Sequence, residues 1–501
     1  MLYLMINSSD VIDIIKVIIG CSVLSVVYLI YSIVLPPRNF PKNIPTIPFY
    51  VSFLGSYTEL DQGQIYTLYL RDKLEEYGAV KIYFASRWNI LVTKPKLLAQ
   101  IFKQEDIFAK SGNQKKIPYS ILSEYTGDNV ISAHGKNWKL YRSLVTSGIQ
   151  FPETLPVIRN SEKLINIISQ EIENEKCVMI TDLVQRFCLA NVGEAMLGTD
   201  FQALEDKECD LHERLKQIKS QIFKPFYMNF PFFDMFPIPS RLKARNEVKN
   251  FRNYYCEKVI SSQRRSHVSK LTAGYALVDA LKDKLITEKQ FADNAVIIMV
   301  AGHENPQLFL MSLLYVVAKY SNVQKQLREE LAINGYELDP NAPSLLAIIY
   351  ETLRMFPPLG QIINRCTVEP VVLGTDICIP KGVYVGYNNY GTGRDKSVWG
   401  EDADEFRPER WGTTTEEITR NYLACKSSSK LAAFHGRKRA CLGEKFALYE
   451  AKVFITEIVK NFEIELDPTW KDRITSAGPI CPQQLRLGFT SVNKSPKYEN
   501  Q

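Results

Sequence analysis

The stretch Phe434-His435-Gly436-Arg437-Lys438-Arg439-Ala440-Cys441-Leu442-Gly443 sets one cysteine behind a basic loop and ahead of an apolar-periodic run, Leu442 to Phe462, that predicts a helix. The thiolate is the form of cysteine that binds metals. It is favoured where backbone N–H groups and the positive end of a helix face the sulfur, so this position predicts a lowered thiol pKa for Cys441. Gly443 lets a flat ligand approach the backbone closely, and Arg439 can pair with a carboxylate at that ligand's edge. A sulfur ligand beneath an iron porphyrin needs a tight loop, donors to the sulfur and a cation for the propionates. This segment can supply all three, although a cysteine taken alone is more often an inert buried side chain.

Other residues carry weaker signals. Ala301-Gly302-His303-Glu304-Asn305 lies inside an apolar helical run, Phe291 to Tyr320, where a glutamate is costly unless satisfied or used. Glu351 and Arg354 stand at i and i+3 on one helical face and can pair, which alone describes a commonplace surface pair. Trp138 and Arg142 share a face at i and i+4. Arg365 follows Pro357-Pro358 at the start of the late strands, where the plain reading is a strand-edge charge.

Together and in this order, these motifs resemble those of the cytochromes P450. The cysteine segment is similar to that family's FxxGxRxCxG signature: Phe434, Arg439, Cys441 and Gly443 match, while Arg437 stands where the family has glycine and Gly436 comes one place early. The resemblance implies heme b (iron protoporphyrin IX) with Cys441 as the iron ligand, and Trp138, Arg142 and Arg365 reaching its propionates. Phe406-Arg407-Pro408-Glu409-Arg410-Trp411 resembles the family's PERF segment, which implies a buried Glu351, Arg354, Arg410 triad that fixes the core rather than a catalytic set. Ala301, Gly302, Glu304 and Asn305 resemble the oxygen-activation motif [A/G]Gx[D/E][T/S], with Gly302 opening a groove for O2 and Glu304 relaying protons. His303 occupies the variable position and is not expected to bind iron. Asn305 and Pro306 replace the hydroxyl residue and its successor; an amide can hold water but cannot donate and accept through one rotor.

The resemblance narrows further along Pro41 to Tyr50, Phe108 to Ser120, Ala301 to Leu308 and Gly382 to Asn389, which look like the branch of the family that makes dityrosine for the yeast spore wall. It implies coupling of two N-formyltyrosine phenols with no oxygen inserted, Glu304 and a water near Asn305 supplying protons. A small phenolic amino-acid substrate needs a carboxylate partner, for which Lys115 or Lys116 is the candidate; solvated lysines are the plainer reading. With no flavin or nicotinamide fingerprint in the chain, O2 would be used with electrons from NADPH through NADPH-cytochrome P450 reductase. Arg437, Lys438, Arg439 and Lys445 could meet such an acidic partner. The competing readings are a monooxygenase acting on a lipid, sterol or xenobiotic, and a non-catalytic heme-binding protein.

The elements that must hold these residues read as a mainly α (α+β) body with small β-sheets. Candidate helices are Gln64 to Tyr77, Trp138 to Ser147, Leu183 to Leu197, Leu211 to Phe223, Leu242 to Val268, Phe291 to Tyr320, Leu345 to Met355 and Leu442 to Phe462. Ala79 to Phe84 and Asn89 to Thr93 suggest a hairpin, and Val371 to Ile379 and Val383 to Tyr387 are strands with Pro380-Lys381-Gly382 turning between them. Phe223 to Pro239 is an aromatic, proline-broken loop that reads equally as core or as an apolar rim at an entrance or membrane.

Val17 to Leu35 carries no charge over 19 residues, roughly 28 Å as a helix. A membrane anchor is favoured over a signal peptide, because Asp10 and Asp13 precede the run and no small-residue cleavage site follows. Arg38 and Lys42 beyond it predict that the catalytic domain faces the cytosol, and the family resemblance implies that the membrane is the endoplasmic reticulum. The expected division is therefore an anchor (1–35), a stiff proline-rich spacer (36–50) that lifts the body off the bilayer, and a catalytic domain (51–501). A net charge of +6 spread along 501 residues gives no nucleic-acid footprint; the basic stretch Arg241 to Lys270 reads as a solvated helix face. Ten cysteines without CxxC pairs argue against a disulfide framework or a zinc site.

Overall fold

The computed structural model describes residues 8–173, 175–264 and 269–492. Its axis is the helix Glu288–Lys319, which begins at a capping box: Thr287 Oγ1 accepts from the Gln290 backbone, and the Gln290 side chain accepts from the Thr287 N–H. At 32 residues it is about 48 Å long, and it packs against Thr181–Asn191, Pro239–Ser262 and Glu444–Asn461. Pro306 sits inside it. Proline has no N–H to give the carbonyl four residues back, so the Gly302 carbonyl loses its helical partner.

The other expected helices are found with shifted ends: Gly135–Gln150, Asp210–Ile222, Pro343–Met355 and Glu444–Asn461. Two further expected helices, Gln64 to Tyr77 and Leu183 to Leu197, change pitch, since Tyr66–Leu70 and Val192–Met196 are π-helical turns. The helix expected over Leu242 to Val268 runs Pro239–Ser262, and residues 265–268 lie outside the described residues. Its basic residues divide between two faces: Lys243, Lys249 and Lys258 are exposed as expected, whereas Arg241 is buried against Asp234, Arg245 pairs with Glu124 and Arg252 with Asp293.

The main sheet has five strands: β1 (Ala79–Phe84), β2 (Arg87–Val92), β3 (Phe108–Lys110), β5 (Gln361–Thr367) and β8 (Tyr384–Asn388), in the order β1-β2-β8-β5-β3. The β1–β2 hairpin turns on Ala85 and Ser86, both left-handed at φ 50° and 60°, tighter than the four-residue turn expected. The late strands differ from expectation. Val371 to Ile379 folds on itself as β6 (Val371–Leu373) and β7 (Ile377–Ile379), because Gly374 at φ 67° allows a turn inside it. The strand after Pro380-Lys381-Gly382 instead pairs with β2 and β5. Arg365 consequently lies in an interior strand, 1% exposed, not on an edge. A third sheet joins β4 (Cys177–Met179), β10 (Arg486–Ser491) and β9 (Phe462–Leu466).

At the N-terminus Ser8–Val34 is one helix. Its segment Asp13–Val34 is long and apolar enough to cross a membrane, and only its end touches the body, where Ile33 packs against the core and the Ser32 carbonyl accepts from Trp88 Nε1. The proline-rich segment does not stand off as a spacer. Phe40, Ile44 and Ile47 are buried, and backbone bonds between Ile47 and Lys81 and between Lys81 and Pro45 tie it to β1. The aromatic segment forms a short helix, Pro225–Asn229, and a 3-10 turn, Pro231–Met235. Its rings stack on each other and on Phe53, with Phe226, Met235 and Phe236 left exposed.

Candidate functional site

A cavity lies between the axial helix and the cysteine loop. Cys441, Gly443, Phe434 and Arg439 line one wall, Trp138 and Arg142 the rim, and Ala301, Gly302 and Asn305 the facing helix. Sequence-distant motifs thus converge on one space.

The loop is closed by the Cys441 N–H donating to the Phe434 carbonyl at 2.9 Å, with a 3-10 turn at Arg437–Arg439 inside it. The shifted glycine has a local cause. A Cβ on Gly436 would come within 2.6 Å of the Phe102 ring, so glycine is needed there. Arg437 then takes the left-handed position itself, at φ 57°, with its side chain exposed. An L-residue in that conformation is strained, so Arg437→Gly should raise stability by about 0.5–1 kcal/mol. Chemical denaturation checks this, and an unchanged or lowered midpoint would show that the loop carries no such strain.

Cys441 is enclosed by protein, but its sulfur faces the cavity and is accessible from it. Contrary to the expected lowering, burial pushes the thiol up to about 11, and the Gly443 N–H only partly opposes that. The helix begins at Glu444 with Gly443 as its cap, so its positive end does not outweigh desolvation. A metal would have to displace the proton. At Gly443 a Cβ would find no atom closer than 3.9 Å, leaving the cavity floor open to a flat ligand.

The cationic rim is built on Glu105. Its carboxylate accepts from Arg439 Nε at 2.5 Å and also pairs with Arg365, which donates as well to the Phe108 carbonyl. Arg439 is buried, lies 4.0 Å over the Trp138 ring, and donates to the Ala133 carbonyl. Burial first, then neighbouring charges, leave its pKa at about 10. Arg365 does not line the cavity, so its expected direct reach to a propionate is replaced by a hold on Glu105. Trp138 Nε1 is buried without a hydrogen-bond partner among the described residues, on the cavity rim. A heme fits these residues: an orphaned donor and buried cations await an anionic edge, above a sulfur facing an open floor.

The axial helix departs from expectation. Glu304 does not line the cavity but lies 2.8 Å from Lys219, a charge contact rather than a directed hydrogen bond, since that oxygen accepts none. Its assignment as proton relay is therefore displaced by an ion pair. His303 is buried with Nδ1 bonded to the Met299 carbonyl and does not line the cavity. A Cβ on Gly302 would meet Val192 at 2.4 Å; this glycine admits the π turn Val192–Met196 as well as bordering the cavity. Asn305 faces the cavity, its amide at 3.5 Å from the Ala301 carbonyl.

Glu351, 0% exposed, gathers Arg354 at 2.7 and 2.8 Å, Arg410 at 2.9 Å, Trp411 Nε1 at 3.1 Å and the Arg407 N–H at 2.8 Å. The substrate-carboxylate candidates are not at the cavity. Lys116 is buried with Nζ on the Ile363 carbonyl, and Lys115 lies beside it on the same short helix. Sequence reading missed Glu105 and Lys110. Glu105 meets its partners across 260 and 334 positions, and no local pattern marks it.

A cytochrome P450 family model matches residues 45–485. The chain is 49% identical over 474 residues to Cytochrome P450-DIT2 of Saccharomyces cerevisiae, covering 93% of this chain and 96% of that one. It is 36% identical over 458 residues to Cytochrome P450 monooxygenase xanG of Aspergillus fumigatus, covering 88% and 85%. Cytochrome P450 94A1 of Vicia sativa is 25% identical over 448 residues, covering 85% of each.

Proposed function

The chain belongs to the cytochrome P450 family, and from that premise we propose that it couples two N-formyltyrosine phenols, ring to ring, into bisformyl dityrosine. As a family member it is a heme-thiolate oxidoreductase that uses heme, O2 and electrons from a reductase. Cys441 would hold the iron, and Trp138, Arg142 and Arg439 the propionate edge, with Arg365 acting through Glu105. Bound there, the heme supplies the oxidising power drawn from O2. Overall, two phenols, O2, NADPH and a proton give one biaryl, two waters and NADP+, with one hydrogen atom leaving each phenol.

The observation that carries the reading is the cavity's hydroxyl content. Among the described residues no Ser, Thr or Tyr lines it, Asn305 and Pro306 stand where a hydroxyl residue is expected, and Glu304 is tied to Lys219. Both reactions need protons to reduce O2; coupling differs in that no oxygen atom has to be delivered to the substrate. Asn305 remains to hold a water at that wall. The 49% identity to Cytochrome P450-DIT2 supports the same branch.

The test supplies N-formyltyrosine, reductase, NADPH and O2 and analyses products. A dimer joined through a ring carbon–carbon bond is expected; hydroxylated monomer alone would end the coupling reading. The mainly apolar walls, including Ile297, Ile298 and Phe309, favour as second reading a monooxygenase of an apolar substrate. We also assign Asp13–Val34 as an anchor in the endoplasmic reticulum membrane, with the body in the cytosol. Residues 1–35 fused to a soluble reporter should carry it into that membrane, and a reporter left in the soluble fraction would refute the assignment.

A further inference from the structure

One charged side chain on the cavity wall is unused by this account. Lys110 ends β3 directly opposite Arg365 on β5, is 3% exposed and lines the same cavity as Cys441. Among the described residues no hydrogen-bond acceptor for its ammonium is found. Beside it, Arg365 and Arg439 already share the single carboxylate of Glu105. Like charges at facing strand positions destabilise a sheet, and an ammonium buried without an anion is driven toward its neutral form. Burial, then Arg365 and Arg439, hold the Lys110 pKa well below the ordinary lysine value. Were Lys110 to keep its proton, three cations would face one anion and leave two positive charges uncompensated in this wall. An apolar residue would serve the strand better, unless an anion arrives in the cavity.

We propose that Lys110 is a carboxylate-binding cation of this cavity. The carboxylate has two sources with the same chemistry. One is a heme propionate. The other is the carboxylate of an amino-acid substrate, and that source alone rests on the coupling reading above.

The experiment compares the full heme-loaded chain with Lys110→Met and Lys110→Arg. Shifts of the Soret band titrate N-formyltyrosine, its methyl ester, dodecanoic acid and its methyl ester; transfer of heme to apomyoglobin measures heme loss. Lys110→Met is expected to lose about 10- to 100-fold in one readout, the range for a charged hydrogen bond, and Lys110→Arg to restore most of it. Weaker binding of the acids with unchanged esters assigns the substrate carboxylate. Faster heme loss with acid and ester affinities unchanged assigns a propionate. If Lys110→Met stays within about twofold of the unaltered chain in both readouts, the proposal is overturned. Should Lys110→Met retain no heme, the apoproteins decide: an unchanged unfolding midpoint supports propionate binding, and a lowered one makes Lys110 a residue of the fold and overturns it. If N-formyltyrosine gives no shift with the unaltered chain, the coupling reading fails, while the dodecanoate pair and heme transfer still decide the role of Lys110.

Discussion

Glu351→Ala should destabilise the chain by about 3–5 kcal/mol, the cost of breaking a fully buried ion pair from one side. The Glu351 carboxylate is 0% exposed and accepts from Arg354, Arg410, Trp411 and the Arg407 backbone. Removing it strands the Arg354 guanidinium among the Gly393, Ala403 and Glu405 carbonyls, which bear no full charge to balance it. A loss of that size is a large part of the roughly 5–15 kcal/mol that holds a domain together. The loss should show as a lowered urea midpoint and poor heme incorporation. Glu351→Gln keeps one acceptor oxygen and recovers only part of it. A midpoint unchanged in Glu351→Ala would show that the triad does not hold the core.

The second large effect is at the sulfur. Cys441→Ala should abolish the thiolate-type spectrum and lower heme affinity and turnover by more than about 100-fold, beyond the upper end of what losing an outer-shell partner does. The fold should survive. The loop is closed by the Cys441 backbone N–H, which alanine keeps, and by Phe102 against Gly436. The apoprotein's unfolding midpoint should therefore shift by less than about 1 kcal/mol. Full heme retention and turnover in this variant would remove Cys441 from the site.

These two sites were legible because their geometry is local. Glu351 and Arg354 are one helical turn apart, as are Trp138 and Arg142, and Cys441 is fixed by its loop and the helix after it. Resemblance then joined them across the chain. What failed was non-local. β8 sits between β2 and β5, a pairing no turn residue encodes, so the sequence leaves Arg365 open between a strand-edge charge and a propionate partner, while the fold puts it in the interior with Glu105. Glu304 was assigned to the cavity from its motif, yet one turn of helix directs it to Lys219. The helix Pro95–Lys103 is not among those expected, although a proline in the first turn, as here, is compatible with one. The Cys441 pKa went the opposite way because helix position is visible in sequence and burial is not.

The central claim is a sulfur ligand to heme iron at Cys441. It is tested most directly by the spectrum of the unaltered full-length chain, reduced and bound to carbon monoxide. A band at about 450 nm, set by a thiolate opposite the bound gas, is the predicted result. A well-folded, heme-loaded chain whose band instead matches histidine-ligated heme would contradict it.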